Sequence, residues 1–266
     1  MESSIKQLAK AIREDIIAIR HDIHQHPELS FQEERTAQKV ETYLKGLGLE
    51  THRISNTGVW AMIQGEAGPG KTLALRADLD ALPIQEVTQK DYQSVNDGVM
   101  HACGHDVHTS ALLGAATILV QLKAQLKGQI KLIFQPGEEK LPGGASLLIK
   151  EGVLSHPPVD AIIGQHVMPL IPSGKVGFRQ GLYMASTDEI YITIHGKGGH
   201  GAMPHLCVDP VAITAQLLVN LQQIVSRQAK PILPTVLSFG KLYSHGGATN
   251  VIPNAVSIEG TLRTLD

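Results

Sequence analysis

Cysteine is scarce. The 266 residues hold two, Cys103 and Cys207, which excludes a disulfide scaffold and leaves each thiol to be explained singly. Charge of one sign is scarce too: a formal net charge of −2 without long charged runs gives no electrostatic reason to expect nucleic acid or an acidic membrane as partner, and turns attention to small-molecule chemistry. No stretch approaches the ~20 apolar residues that a membrane span needs, and the opening MESSIKQLAKAIRED is charged and amphipathic rather than apolar. The expectation is a cytoplasmic protein. Internal repeats and low-complexity tracts are absent as well. What the chain does have is 42% hydrophobic residues, enough for a sizeable core in one large domain or two ordinary ones. It also has thirteen histidines, which invite a search for metal ligands.

Residues 65–72 read GEAGPGKT and satisfy the phosphate-loop pattern G-x-x-x-x-G-K-[ST] at every fixed position. That pattern binds phosphate only where the loop opens a helix, whose free N–H groups and dipole face the anion. Here Leu73, Leu75 and Ala77 alternate with Ala74 and Arg76, and Pro83 blocks a long helix. With the apolar stretch 58–64 in front, the segment is predicted to be two strands joined by a Gly/Pro-rich hairpin turn. Nucleotide hydrolysis would instead require tight ATP or GTP binding that is lost on Lys71→Ala.

Ile5, Leu8, Ile12, Ile16, Ile19 and Ile23 recur at three- and four-residue steps, predicting a helix to about residue 26 that Pro27 stops. A second amphipathic helix over 33–47 ends at Gly46 and Gly48. Short apolar strands are predicted at 58–64, 71–77, 129–135 and 159–166, with a buried Ala/Gly/Leu-rich helix over 105–122. Strands alternating with helices imply an α/β fold, a mainly parallel sheet covered by helices on both faces. After about residue 180 the pattern changes. Alternation in 190–195, an amphipathic helix over 208–227 behind Asp209 and Pro210, and strands at 236–242 and 255–262 predict a second, smaller α+β unit. The expected domains are therefore 1–180 and 181–266. The second reads as incomplete at its C-terminal end, with no second helix to cover its sheet.

The densest polar cluster runs from His101 through Cys103, His105 and Asp106 to His108, where a loop enters the buried helix. Thiolate, imidazole and carboxylate are the donors that divalent transition metals prefer. His105 and Asp106 fall in the first helical turn and His108 one turn on, so several donors can point toward one spot. The ends of the following strands carry Gln135-Pro-Gly-Glu138-Glu139 and Gly164-Gln-His166, and ligands of open α/β sheets gather outside the carboxyl ends of strands. Taken alone, a Glu pair is ordinarily solvated surface and a buried Cys a small hydrophobe. Around a metal the pair divides the work: one carboxylate coordinates, the other takes a proton from water, and Cys103 binds as thiolate.

Seven stretches in order, RHDIHQHPELSFQEERTA, RADLDALP, MHACGHDVHTSALLGAA, FQPGEE, GQHV, GKGGHGAMPH and GGATNVIPNAVSIEGTLR, resemble the amidohydrolase branch of the aminoacylase and carboxypeptidase family of dinuclear metallohydrolases. That branch includes hippurate hydrolase, N-acetyl-diaminopimelate deacetylase and the auxin–amino-acid hydrolases. The resemblance covers nearly the whole chain. It implies a zinc-exopeptidase-like catalytic domain followed by a ferredoxin-like lid and dimerisation domain. It further implies two divalent ions, Zn, Mn, Co or Ni, held by Cys103, His105, Glu139 and His166 with Cys103 as the bridge, and Glu138 as general base. Asp78 and Asp80 are expected either to support the ligands or to shape a turn, Asp106 and His108 to orient rather than bind, and His101 to be a core or loop histidine. His200 is implied to enter from the lid of a partner subunit and polarise the scissile carbonyl, and Asn250 and Arg263 to hold the substrate's carboxylate, a role suited to an arginine fork. Without the resemblance these three read as a loop histidine, a turn asparagine and a strand-end arginine. Cys207 is expected to be a packed free thiol. Relatives supply a further ligating histidine after the lid, and this sequence ends before such a segment.

The expected function is metal-dependent hydrolysis of the amide bond of an N-acyl amino acid or similar small amide, by a homodimer or tetramer assembled through the lid domain. The alternative is an incomplete, catalytically impaired relative that keeps the fold and a metal and acts as a binding or interaction protein.

Overall fold

The structure, a computed structural model, describes residues 2–265. Contacts between Cα atoms divide the chain into two compact units, one ending at Leu170 and the other beginning at Ile171. The first unit opens with α1 (Glu2–Ala11) and α2 (Arg13–Gln25), two pieces of the single helix that the apolar spacing predicts. They meet at Ile12, whose N–H bonds the Leu8 carbonyl and whose carbonyl accepts from Ile16, both at 3.1 Å. α3 (Glu34–Gly46) has no side-chain cap from the residue before it. Instead Glu28 reaches across and accepts the backbone N–H groups of Arg35 (3.0 Å) and Thr36 (2.8 Å), donors that a helix start otherwise leaves open.

Five strands form the central sheet: β1 (Thr51–Ile54), β2 (Gly58–Gln64), β3 (Thr72–Asp78), β4 (Gln129–Gln135) and β5 (Ala161–Gly164). Their order is β1-β2-β4-β3-β5. The β1–β2 and β2–β4 pairs are antiparallel, the β4–β3 and β3–β5 pairs parallel. The sheet is thus mixed, correcting the mainly parallel expectation, because β1 and β2 are joined by a tight turn and β2 runs against β4.

The predicted hairpin between residues 58–64 and 71–77 is also corrected. Both segments are strands, but β4 lies between them, so the 65–71 connection spans two strand spacings, about 10 Å. The glycines of GEAGPGKT serve this crossing. Gly65 donates to the Gly128 carbonyl (2.8 Å) and Gly128 to that of Gly68 (3.0 Å), and a Cβ on Gly65 would lie 2.3 Å from the Leu126 oxygen. A strand rather than a helix follows, so no helix N-terminus faces the loop and its resemblance to a phosphate site is fortuitous.

Side-chain alternation sends each strand's residues to two cores. Val59, Ala61 and Ile63 of β2, Leu132 and Phe134 of β4 and Ala77 of β3 join Val40 and Leu44 of α3 and Leu112, Leu113 and Ala116 of α4 (His105–Gln121). Ala74 and Ile133 point the other way, to Leu148 of α5 (Gly144–Lys150) and Val153. Helices therefore cover both faces. The parallel run of β4, β3 and β5 puts Gln135, Asp78 and Gly164 at one sheet end, from which the loops bearing Glu138 and Glu139, Asp80 and His166 all depart.

In the second unit β6 (Ser186–His195), β8 (Thr235–Ser244) and β10 (Ala255–Thr264) form an antiparallel sheet in the order β6-β10-β8. β7 (Gly199–His200) pairs separately with β9 (Val251–Ile252). α6 (Pro210–Gln223) packs on β6 and β10. Its start is fixed by Asp209, whose carboxylate accepts the Val211 N–H at 2.8 Å, and by Pro210, which has no N–H to leave unpaired. Among the described residues no helix is long and apolar enough to cross a membrane.

Candidate metal centre

His105 opens α4 and is wholly buried. Its Nδ1–H donates to the Asp80 backbone carbonyl at 2.8 Å, with the Asp80 carboxylate at 3.2 Å. Nε2 is left as the lone-pair atom, 3.8 Å from Glu139 Oε1 and 3.7 Å from Asp78 Oδ2. Among the described residues, His105 Nε2 and Glu139 Oε1 are both buried and both without a hydrogen-bond partner. A buried unsatisfied polar atom costs about 1–3 kcal/mol, and with His105 neutral two acceptors face each other, so one shared cation, a proton or a metal ion, would relieve both.

The thiol and second imidazole arrive by a backbone device. Gly104, immediately before α4, has φ +86°, a conformation open to glycine at little cost. A Cβ there would lie 2.3 Å from Val167 Cγ2, so its absence lets the turn after β5 close onto the helix start. Cys103 Sγ and His166 Nε2 consequently lie 3.3 Å apart. His166 Nδ1–H donates to the Val167 carbonyl at 2.7 Å, again leaving Nε2 as the lone pair. Both imidazoles have one nitrogen anchored on a carbonyl and the other free, the arrangement that metal-binding histidines take.

Cys103, His105 and His166 offer donor atoms within 4.8 Å of one another, and so do His105, Glu138 and Glu139. The set of thiol, imidazole and carboxylate suits zinc and its neighbours. Donor atoms of Asp78, His105 and His108 also lie within 4.8 Å of one another, but His108 has no lone pair to give. Its Nδ1–H donates to Asp78 Oδ1 (2.6 Å) and its Nε2 accepts the Val167 N–H (2.9 Å).

The electrostatics point the same way. Burial, then the bond and charge of Glu139 and the charges of Glu138 and Asp78, push the Cys103 thiol up to about 12. Burial alone would lower His105, but the Asp80 bond and the charges of Asp78, Asp80 and Glu139 outweigh it and raise the imidazole to about 9. Glu138 sits at the solvent-exposed mouth, yet desolvation on its protein side and the neighbouring Glu139 charge lift its carboxyl above the usual range. The cleft gathers more negative charge than it neutralises, and it holds protons where a cation would displace them. Asp78 and Asp80 go the other way, both held below the usual carboxylate range, Asp80 against burial by its bonds from His105 and Ser30. Burial likewise opposes the ionisation of Asp78, but the His108 bond and the Arg76 charge, with Nη1 at 2.6 Å, keep it well below that range.

Several supporting residues carry no sequence-spacing signal. Ser30 donates to Asp80 Oδ2 at 2.6 Å, and the Glu139 N–H donates to the same oxygen at 2.9 Å. Glu33 is wholly buried, and accepts from Thr57 Oγ1 (2.6 Å) and the Gly137 N–H (2.8 Å), pinning the turn that carries the glutamate pair. In the second unit, His200 pairs with Val251, and the Gly201 N–H donates to the Asn250 carbonyl at 2.7 Å, so His200 and Asn250 are neighbours. Arg263 is not among them. It is exposed on β10 opposite Thr187 and Val236, eight residues and about 26 Å of strand beyond Ala255.

Residues 74–259, well over half of the chain, match the profile of Peptidase family M20/M25/M40. The N-acyl-L-amino acid amidohydrolase of Geobacillus stearothermophilus is 48% identical over 266 residues, which are 100% of this chain and 71% of that protein. The N-acetyl-L-cysteine deacetylase of Bacillus subtilis (strain 168) is 47% identical over 257 residues, 96% of this chain and 60% of that protein. The crystal structure of the Bacillus subtilis YXEP protein, a dinuclear metal binding peptidase from the M20 family, aligns with a TM-score of 0.74 at 40% identity over 97% of this chain and 65% of that one. The chain thus spans between three fifths and about seven tenths of the length of these relatives. On the profile match and these identities together, the chain belongs to Peptidase family M20/M25/M40.

Proposed function

We propose that this chain carries the machinery of a metal-dependent amidohydrolase acting on N-acyl amino acids or related small amides. The observation behind it is the pair of buried, partnerless acceptors, His105 Nε2 and Glu139 Oε1, 3.8 Å apart and grouped with Cys103 and His166. The kinship with an N-acyl-L-amino acid amidohydrolase and an N-acetyl-L-cysteine deacetylase supports the substrate class. In this reading Cys103, His105, Glu139 and His166 would hold two divalent ions, Zn, Mn, Co or Ni. The ions supply Lewis-acid activation of water and of the amide carbonyl.

Glu138 takes the proton of the attacking water and returns it to the departing nitrogen. Its raised pKa brings a carboxylate closer to the working pH, where a general base is most effective. Asp80 keeps the proton of His105 on Nδ1 and so keeps Nε2 available. His200 accepts the Ala202 N–H on Nδ1 (3.1 Å), which leaves a protonated Nε2 to polarise the carbonyl. Because Arg263 lies far along β10 from the His200–Asn250 pair, a substrate carboxylate held by Asn250 and Arg263 would draw one from each of two copies. A homodimer through the second unit is therefore part of the proposal. A thiolate ligand also favours a reducing compartment, in keeping with the cytoplasm.

Glu138→Gln is expected to retain metal, measured by atomic emission, while hydrolysis of an N-acetyl amino acid falls at least about a hundredfold. Cys103→Ala is expected to lose metal. Unimpaired hydrolysis by Glu138→Gln would overturn the proposal.

A further inference from the structure

We propose that His108 is a positioning residue for His166. The inference rests on the metal-centre reading above and adds to it the device that holds one ligand in place. A string of hydrogen bonds starts at Arg76, whose Nη1–H donates to Asp78 Oδ2 (2.6 Å), and Asp78 Oδ1 accepts His108 Nδ1–H (2.6 Å). His108 Nε2 accepts the Val167 N–H (2.9 Å), and the Val167 carbonyl accepts His166 Nδ1–H (2.7 Å). A backbone N–H can only donate, so Nε2 of His108 must be the bare nitrogen and Nδ1 must carry the proton. Asp78 facing Nδ1 selects that tautomer.

The 166–167 turn needs such a hold. It follows β5, a four-residue strand at the sheet edge that is exposed at every position and, among the described residues, paired with β3 alone, and His166 itself is exposed. A short edge strand gives the next turn little support of its own. Three contacts from α4 and its entry replace that support. They are the His108 bond to the Val167 N–H, the place for the Val167 side chain left by Gly104, and the His108 ring, packed edge-on to His166 with centroids 4.7 Å apart. Together they fix the 3.3 Å spacing between His166 Nε2 and Cys103 Sγ.

Two variants separate this role from general packing. His108→Asn keeps a donor near the Nδ1 position and loses the acceptor at Nε2, whereas His108→Gln places its carbonyl oxygen near Nε2 and loses the donor to Asp78. Cobalt(II) is the probe, through its affinity and its thiolate charge-transfer absorption. His108→Asn should weaken cobalt binding by about 10- to 100-fold, the usual effect of removing a ligand's support, and shift the thiolate band. His108→Gln should retain most of both. Equal losses in the two variants, or an Asn variant that binds like the parent, would overturn the inference.

If His108→Asn does not fold, ¹⁵N-histidine spectra of the parent chain decide. A His108 with Nδ1 protonated and Nε2 bare, unchanged on zinc loading, supports the clamp. An Nε2 resonance that moves as a ligand's does refutes it. A parent chain with no cobalt–thiolate band brings down the metal-centre reading itself, and the clamp with it, which distinguishes that failure from a failure of the clamp alone.

Discussion

His101, in the loop before α4, and His105, the first residue of that helix, lie four residues apart and both are buried, yet their surroundings drive them in opposite directions. Burial pushes His101 down to about 4, with Asp106 only partly opposing it, and neither of its ring nitrogens has a partner among the described residues. His105 is raised to about 9 because Asp80 bonds it and Asp78 and Glu139 add their charges. The difference is in the carboxylates. Asp106, in the first turn of α4, already shares one oxygen between Arg20 (2.7 Å) and His24 (2.9 Å), and His24 also meets Glu86 at 3.2 Å. There each carboxylate meets at least one cationic side chain, although Asp106 Oδ1 is left without a partner among the described residues. At the ends of β3 and β4 the negative charge exceeds its local compensation, so surplus carboxylate rather than burial distinguishes the site from the core.

The contrast breaks if the two histidines prove interchangeable. His105→Gln is expected to lower zinc affinity, measured by chelator competition, at least about a hundredfold, while His101→Gln leaves it at the parent value. Next in size, Asp80→Asn should cost about 10- to 100-fold in the same assay by removing the carboxylate charge 3.2 Å from His105 Nδ1, and Asp106→Asn should cost none.

The smallest effect lies in the melting of the metal-free chain against pH. The raised value of His105, about 9 against roughly 6.5 unfolded, gives stability that is complete below about 6.5 and fades as pH rises through 9. The lowered value of His101, about 4, gives stability that is complete above about 6.5 and fades as pH falls through 4. One group contributes at most about 1.4 kcal/mol per pH unit. His105→Gln should flatten the alkaline limb and His101→Gln the acid limb. Flattening of the same limb by both would dissolve the distinction.

Local periodicity made much of this legible in the sequence. β4 occupies the predicted residues 129–135, α4 starts at His105, and a strand follows Lys71. The cluster at residues 103–108 and the strand-end pair at 138–139 could be read because donor types that seldom cluster stood where an open sheet collects ligands. Strand order could not be read, since β2 and β3 look like hairpin partners until β4 is placed. β1 and α5, four and seven residues long, are too short to show a period. Glu33 and Ser30 reach their partners across sequence separations of 104 and 50, and no local pattern encodes that. Arg76 alternates within its strand like any solvated residue, and only its 2.6 Å contact with Asp78 gives it a role.

The position of β4 between β2 and β3 also governs how the molecule is made. The two strands joined by residues 65–71 are bridged by a strand about fifty residues downstream that lies between them, and pairing across such a separation is a slow, non-local step. The carboxylates after β3 and those after β4 become neighbours in that one event. Asp80, Glu138 and Glu139 are thus brought around His105 by the pairing of β3 with β4, and not by any local stretch of sequence.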